Sequence, residues 1–200
     1  MTLKCLLGSI LIFLVLSASL FAADQVRLQT NHGDIIIKLY SDDAPLTVAN
    51  FLSYVRQGRY DHTVIHRIVK GFVIQGGGYK IENNTMRHIQ TLGNVKSEAD
   101  NGLYNVKGTI AMARLGSDPH SATSEFFINL VTNTELNYKG EGSLGASYTV
   151  FGKVAAGWDV VEKIASLPVV SKGGAFTHWA DPPVIILKAE EVNEKKGHDK

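Results

Sequence analysis

From Val26 onward the chain reads as short stretches of alternating apolar and polar residues punctuated by glycine, the pattern of half-buried β-strands. Val26-Arg27-Leu28-Gln29-Thr30 alternates, Asn31-His32-Gly33-Asp34 supplies a turn, and Ile35-Ile36-Ile37-Lys38-Leu39 returns, which predicts a hairpin. Further strands are predicted at Val64–Val69, Phe72–Gln75, Thr109–Ala113, Glu125–Val131, Tyr148–Val154 and Val184–Leu187. Two segments change to a helical period. In the first, Pro45 suits the opening helical position, Val48, Phe51, Leu52 and Val55 follow at i, i+3, i+4 and i+7, and Gly58 ends the run. The second covers Trp158–Leu167, with Val160, Val161, Ile164 and Leu167 on one side and Pro168 as the stop. Eight strands and two helices without βαβ alternation predict a mainly β fold, a closed eight-stranded antiparallel barrel capped by two α-helices. No internal repeat is evident.

Residues 1–23 belong to another composition class. Lys4 is followed by an almost uninterrupted apolar run from Cys5 to Phe21, and Ala22-Ala23-Asp24 marks a polar boundary. A basic start, an apolar run and small residues before the boundary read as a secretory signal cleaved after Ala22 or Ala23. The expected organisation is therefore a signal segment at 1–23, one domain at 24–193 and a polar tail at 194–200. The whole chain has 20 Lys+Arg and 19 Asp+Glu, and removing Lys4 leaves 19 of each. Without a basic excess, nucleic acid is a poor partner. Cys5 is the only cysteine, so the mature chain has none to be mispaired in an oxidising compartment and no thiol nucleophile.

Several motif searches exclude other chemistries. Gly140-Glu141-Gly142-Ser143-Leu144-Gly145 matches G-x-G-x-x-G, but a polar segment precedes it and the β-like Tyr148-Thr149-Val150-Phe151 follows. A dinucleotide site needs the motif between a strand and a helix, so a flexible loop is the better reading. His62 and His66 straddle a strand start and do not converge on a metal, and no G-x-S-x-G elbow is present. Asn83-Asn84-Thr85 is a glycosylation sequon.

The stretch from Ile65 to Tyr79 is different. Arg67 interrupts an apolar strand, where an unpaired charge costs desolvation, and Gln75 stands before Gly76-Gly77-Gly78. A structural ion pair under a glycine turn would explain this, and so would a polar site facing a cleft. With Gly108–Arg114, Ser124–Asn129 and Val150–Val154, in this order and spacing, the stretch resembles the cyclophilin-type peptidyl-prolyl isomerases. The resemblance runs from about Val26 to the last strand and is strongest to the exported bacterial branch. The family's fold is the eight-stranded barrel with two helices that the periodicity predicts independently.

The resemblance implies isomerisation of X–Pro bonds during folding of exported proteins, without cofactor or metal, in a monomer that is periplasmic or secreted. Its partners would be proline-containing unfolded polypeptides, with no nucleic acid and no lasting membrane insertion. Rotation about the bond faces a barrier of roughly 18–20 kcal/mol because amide resonance is lost. Turnover on the order of 10³ per second needs about 7 kcal/mol of preferential transition-state binding. In the twisted amide the prolyl nitrogen regains a lone pair, which a fixed cation stabilises. By resemblance that cation is Arg67, Gln75 steadies it and bonds the substrate backbone, and Phe72, Val73, Phe127, Leu136 and Tyr148 form the proline pocket. Arg114 matches a position whose main chain holds the peptide.

Three departures stand out. Glu125 occupies a common glutamine position, where its charge is expected to pair with Arg67 and weaken the arginine's field. Glu135 replaces a tryptophan tied to cyclosporin binding in animal members, which implies weak inhibition. Tyr148 replaces their histidine. Strict alternation also sends Phe72 and Gln75 to opposite faces of one strand. A peptide-binding module with little catalysis, and a barrel enclosing a small molecule, are the competing readings. For the exported protein, intact-mass measurement should find Ala23 or Asp24 as the first residue. Retention of residues 1–21 in a membrane fraction would contradict the cleavage reading.

Overall fold

The computed structural model describes residues 25–140, 142 and 147–192. The expected signal segment, the 194–200 tail and most of the Gly140–Gly145 loop lie outside the described residues. Eleven strands and two α-helices follow in chain order: β1 (Gln25–Thr30), β2 (Gly33–Leu39), α1 (Pro45–Arg56), β3 (Thr63–Val69), β4 (Val73–Glu82), β5 (Thr85–His88), β6 (Thr109–Met112), β7 (Phe126–Asn129), β8 (Val150–Ala156), α2 (Trp158–Ser166), β9 (Val169–Val170), β10 (Trp179–Ala180) and β11 (Val184–Val192). The large sheet runs β3-β11-β1-β2-β8-β6-β7-β4, and a further pairing of β3 with β4 closes it into the eight-stranded antiparallel barrel. Among the described residues no helix is long and apolar enough to cross a membrane.

Alternation sorts the side chains onto two faces. Ile74 of β4, Ile128 of β7 and Ile110 of β6 are register partners and belong to the interior core. Their chain neighbours Val73, Phe127 and Ala111 form a separate apolar cluster with Val150. The interior is filled by Leu28, Ile35, Ile37, Phe126, Phe151 and Ile186 among others. The helices seal this core. Phe51 of α1 packs edge-on against Phe126 at 5.8 Å and lies 5.1 Å from Phe151, while Val161 and Ile164 of α2 are fully buried. The first turn of α1 has no side-chain cap of its own. Glu98, from a distant loop, instead accepts from the amides of Leu46 and Thr47 at 3.0 and 2.8 Å, which satisfies orphan donors with an anion at the helix's positive end.

The segment after Gln75 departs from expectation. It is not a glycine turn closing a short strand. β4 continues through Gly76-Gly77-Gly78 to Glu82, and Asn83-Asn84, both at positive φ, return the chain as β5. The strand survives because Gly77 adopts φ +84° where a Cβ would strike the Tyr60 and Phe126 rings. Bends at these residues let β4 curl while it stays paired. The short strands β5, β9 and β10 carry too few residues for a periodic signal and were not expected. β7 is also shorter than its apolar run: Glu125, Leu130 and Val131 lie outside it.

Phe126 and Phe127 show the consequence of alternation most plainly. Phe126→Ala removes an interior ring and should lower unfolding free energy by roughly 3–5 kcal/mol, as read by urea denaturation. A loss below about 1 kcal/mol would contradict the interior placement.

Candidate active site

The pairing that closes the barrel also builds the site. β3 carries an extra residue against β4 at His66, since Ile65 pairs with Gly76 and Arg67 with Gln75. That bulge sets Arg67 directly opposite Gln75. Gln75 in turn pairs with Phe127, Phe127 with Ala111, and Ala111 with Val150. Directly opposed residues share a face, so one row crosses five strands on the outside of the barrel. Phe72 lies in the turn before β4 rather than on the strand. The alternation conflict therefore disappears: Val73 and Gln75 share the outer face, and Phe72 joins them from the turn.

This face carries a cavity of about 250 Å³ lined by Arg67, Phe72, Val73, Gln75, Ala113, Arg114, Phe127, Leu136 and Tyr148. All eight residues singled out from the sequence meet there, with Ala113 in addition. Phe127 and Tyr148 stack edge to face at 5.6 Å, and the Arg67 guanidinium stands 5.7 Å from the Phe72 ring centroid. Because the pocket is outside a filled interior, the barrel does not enclose a small molecule in its lumen.

Arg67 Nη1 donates to Gln75 Oε1 at 3.4 Å. Partial burial pulls the guanidinium below its ordinary pKa, opposed by Tyr148, yet arginine remains a cation at neutral pH. The expected ion pair with Glu125 does not form. Gln75 stands between them, donating from Nε2 to Glu125 Oε2 at 2.8 Å, and the carboxylate's ionic neighbours are His66 and His88. Burial would raise the Glu125 carboxyl, but the bond and charge of His66, the Gln75 amide and the charge of His88 together hold it below its ordinary value. Arg114 is turned to its surroundings: Nε donates to the Ser147 carbonyl at 2.8 Å, and its guanidinium lies 4.6 Å from the Tyr148 ring centroid. Glu135 is exposed on a 3₁₀ turn, Thr134–Leu136, that delivers Leu136 to the cavity.

A buried asparagine network holds the pocket wall, and the sequence reading missed it. Asn133 Nδ2 donates to the Phe72 carbonyl at 3.2 Å and to Asn129 Oδ1 at 2.7 Å. Asn129 donates to Asn105 Oδ1 at 3.1 Å, and Asn105 donates to the carbonyls of Leu136 at 3.1 Å and Tyr148 at 3.3 Å. Three pocket residues on separate loops are thus tied through their main chains to one fully satisfied polar cluster. The available signal was Asn129 ending an apolar strand, with Asn133 four residues on.

Fold and site together define a barrel that presents a fixed cation beside an apolar groove sized for a small side chain. The chain belongs to the cyclophilin family: residues 25–191 match the model of the cyclophilin-type peptidyl-prolyl cis-trans isomerases. It is 49% identical over 170 residues to peptidyl-prolyl cis-trans isomerase B of Escherichia coli, covering 84% of this chain and 99% of that one. It is 46% identical over 177 residues to an Acinetobacter baylyi peptidyl-prolyl cis-trans isomerase, covering 88% and 90%. A Cryptosporidium parvum cyclophilin-type isomerase, solved in the presence of the dipeptide Ala-Pro, superposes with a TM-score of 0.68 at 26% identity, covering 85% of this chain and 99% of that one. The protein is accordingly a peptidyl-prolyl cis-trans isomerase acting on proline-containing peptides.

Glu125 gives a pH prediction. A carboxyl held below its ordinary pKa of 4.5 in the folded state stabilises the protein fully above that value, and the contribution is lost as pH falls through the lower folded value. Between about pH 5 and 3, wild-type stability should therefore fall more steeply than that of Glu125→Gln in urea titrations. Parallel slopes would contradict the pairing.

Proposed function

We propose that Arg67 is the catalytic residue of this isomerase and that its substrates are proline-containing segments of exported proteins during folding. The observation that carries the catalytic reading is the guanidinium at the rim of the apolar pocket, bonded to Gln75 and, among the described residues, without a carboxylate within ion-pair distance. A proline ring seated against Phe72, Val73, Phe127, Leu136 and Tyr148 places its nitrogen below this charge. As the amide twists, conjugation is lost and the nitrogen becomes a hydrogen-bond acceptor that the planar amide does not offer. An N–H donor fixed beside it binds the twisted state more tightly than either planar state, and this difference is the catalysis. Gln75 holds the fork of the guanidinium and keeps an amide proton for the peptide backbone. The asparagine network keeps the wall in place, so little reorganisation accompanies rotation.

The apolar leader, the small residues at 22–23 and a remainder without cysteine support export, with residues 24–193 working as a monomer in the periplasm. The equal numbers of acidic and basic residues in that remainder support unfolded polypeptide rather than nucleic acid as the partner. An apolar pocket with Arg67 at its rim selects proline and leaves the flanking sequence weakly specified, which suits a catalyst serving many clients.

Arg67→Ala should retain the wild-type thermal unfolding transition and lose at least a hundredfold in kcat/KM, roughly 2.7 kcal/mol of transition-state stabilisation, in a proline-peptide isomerisation assay. Turnover near wild type in the folded variant would overturn the mechanism. It would leave the pocket as a binding module.

A further inference from the structure

Behind the reactive pocket lies a second group of titratable side chains. Glu125, just ahead of β7, places Oε2 3.4 Å from His66 Nε2 and Oε1 3.6 Å from His88 Nε2. Gly78 makes the seat: a Cβ there would come within 2.5 Å of Glu125 Oε1. His66 is 2% exposed, stacked edge-on against Tyr79 at 5.0 Å, and its Nδ1 has no hydrogen-bond partner among the described residues. His88, on β5, is open to solvent and packs edge-on against the other side of the pair through Tyr79 at 4.8 Å. The groups facing Glu125 are thus His66 from β3, Gln75 and Tyr79 from β4 and His88 from β5, with Arg114 and Asp118 lining the same groove after β6, and on its other side His88 shares a groove with Arg59, Lys80, Glu82 and Arg87.

This cluster is joined to the catalytic arginine by one side chain. A carboxylate only accepts hydrogen bonds. Glu125 therefore accepts a hydrogen bond from one of the two Gln75 Nε2 protons and leaves Gln75 Oε1 to face Arg67, which it does at 3.4 Å. The amide orientation that receives the guanidinium is fixed by an anion one residue away. The same anion opposes the field of Arg67 unless a cation offsets it.

We propose that Glu125 is a positioning residue of the isomerase and that the protonation of His66 and His88 sets how much of its charge reaches Arg67, so that turnover rises as these histidines become protonated. The proposal rests on Arg67 being the catalytic residue. Burial alone would raise the Glu125 carboxyl, and the bond and charge of His66, the Gln75 amide and the charge of His88 together hold it below its ordinary value. The proline pocket contains neither histidine, so the effect falls on kcat rather than on KM.

The test is a protease-free exchange measurement by NMR on an Ala-Pro peptide without titratable side chains, from about pH 5.5 to about pH 8. Wild-type kcat should fall by roughly fivefold across that range at constant KM, the scale expected of one uncompensated charge near a partly buried cation. Glu125→Gln should lose this step. His88→Gln, an exposed position that leaves the core untouched, should shrink it. A flat wild-type profile, or a full step in both variants, would overturn the proposal. Arg67→Ala, run alongside, separates the two claims: loss of turnover at every pH upholds the catalytic reading whatever becomes of the pH step, and retained turnover removes that reading itself.

Discussion

The pairing of β3 with β4 is the constraint on which both the barrel and its site depend. An eight-stranded sheet left open along these two strands would expose two unpaired edges, and closing it satisfies their amides and carbonyls. The closure is not a regular ladder. Its bulge at His66 shifts the register by one residue, and a one-residue shift moves every later side chain to the other face. Arg67 therefore points outward beside Gln75 instead of inward among isoleucines. Inside, its charge would be buried without a partner, at a cost no core of this size readily offsets. The register that closes the barrel is thus the register that makes the cation available.

Everything outside that row serves to hold it still. Apolar residues on the outer face are ordinarily a liability, and here Val73, Ala111, Phe127 and Val150 are covered by Phe72, Leu136 and Tyr148 from three loops. Those loops are fastened through backbone carbonyls to Asn105, Asn129 and Asn133, so the cavity is preformed. A preformed pocket matters because the reaction makes and breaks no bond between enzyme and substrate. All of its rate advantage comes from the difference in binding between twisted and planar amide, and motion of the wall would blur that difference.

How much of this was legible in the sequence follows from the range of each interaction. The alternation of Val26–Leu39 and the helical spacing of Val48, Phe51, Leu52 and Val55 are local, and both elements form where the pattern puts them. The eight pocket residues were reached through the family resemblance, because no local rule brings Leu136 and Tyr148 to Phe72. The continuation of β4 through three glycines was illegible, since glycine in that run signals a turn and its actual partners, Ile65, Tyr60, Phe126 and Glu125, come from outside that strand. Glu125 shows the same limit. Its type and proximity to the site could be read, but its choice of His66, His88 and Gln75 over Arg67 depends on which strand each neighbour sits on. Leader, tail and glycine loop remain sequence readings.

The central claim is that a proline ring occupies the outer pocket with Arg67 at its nitrogen. The most direct measurement is an experimental structure of the chain with a bound Ala-Pro-containing peptide. The account predicts the ring packed against Phe72, Phe127 and Leu136, with a guanidinium nitrogen of Arg67 within about 3.5 Å of the prolyl nitrogen or the carbonyl before it. A proline bound elsewhere, or an Arg67 side chain turned away from a proline seated in the pocket, would contradict it.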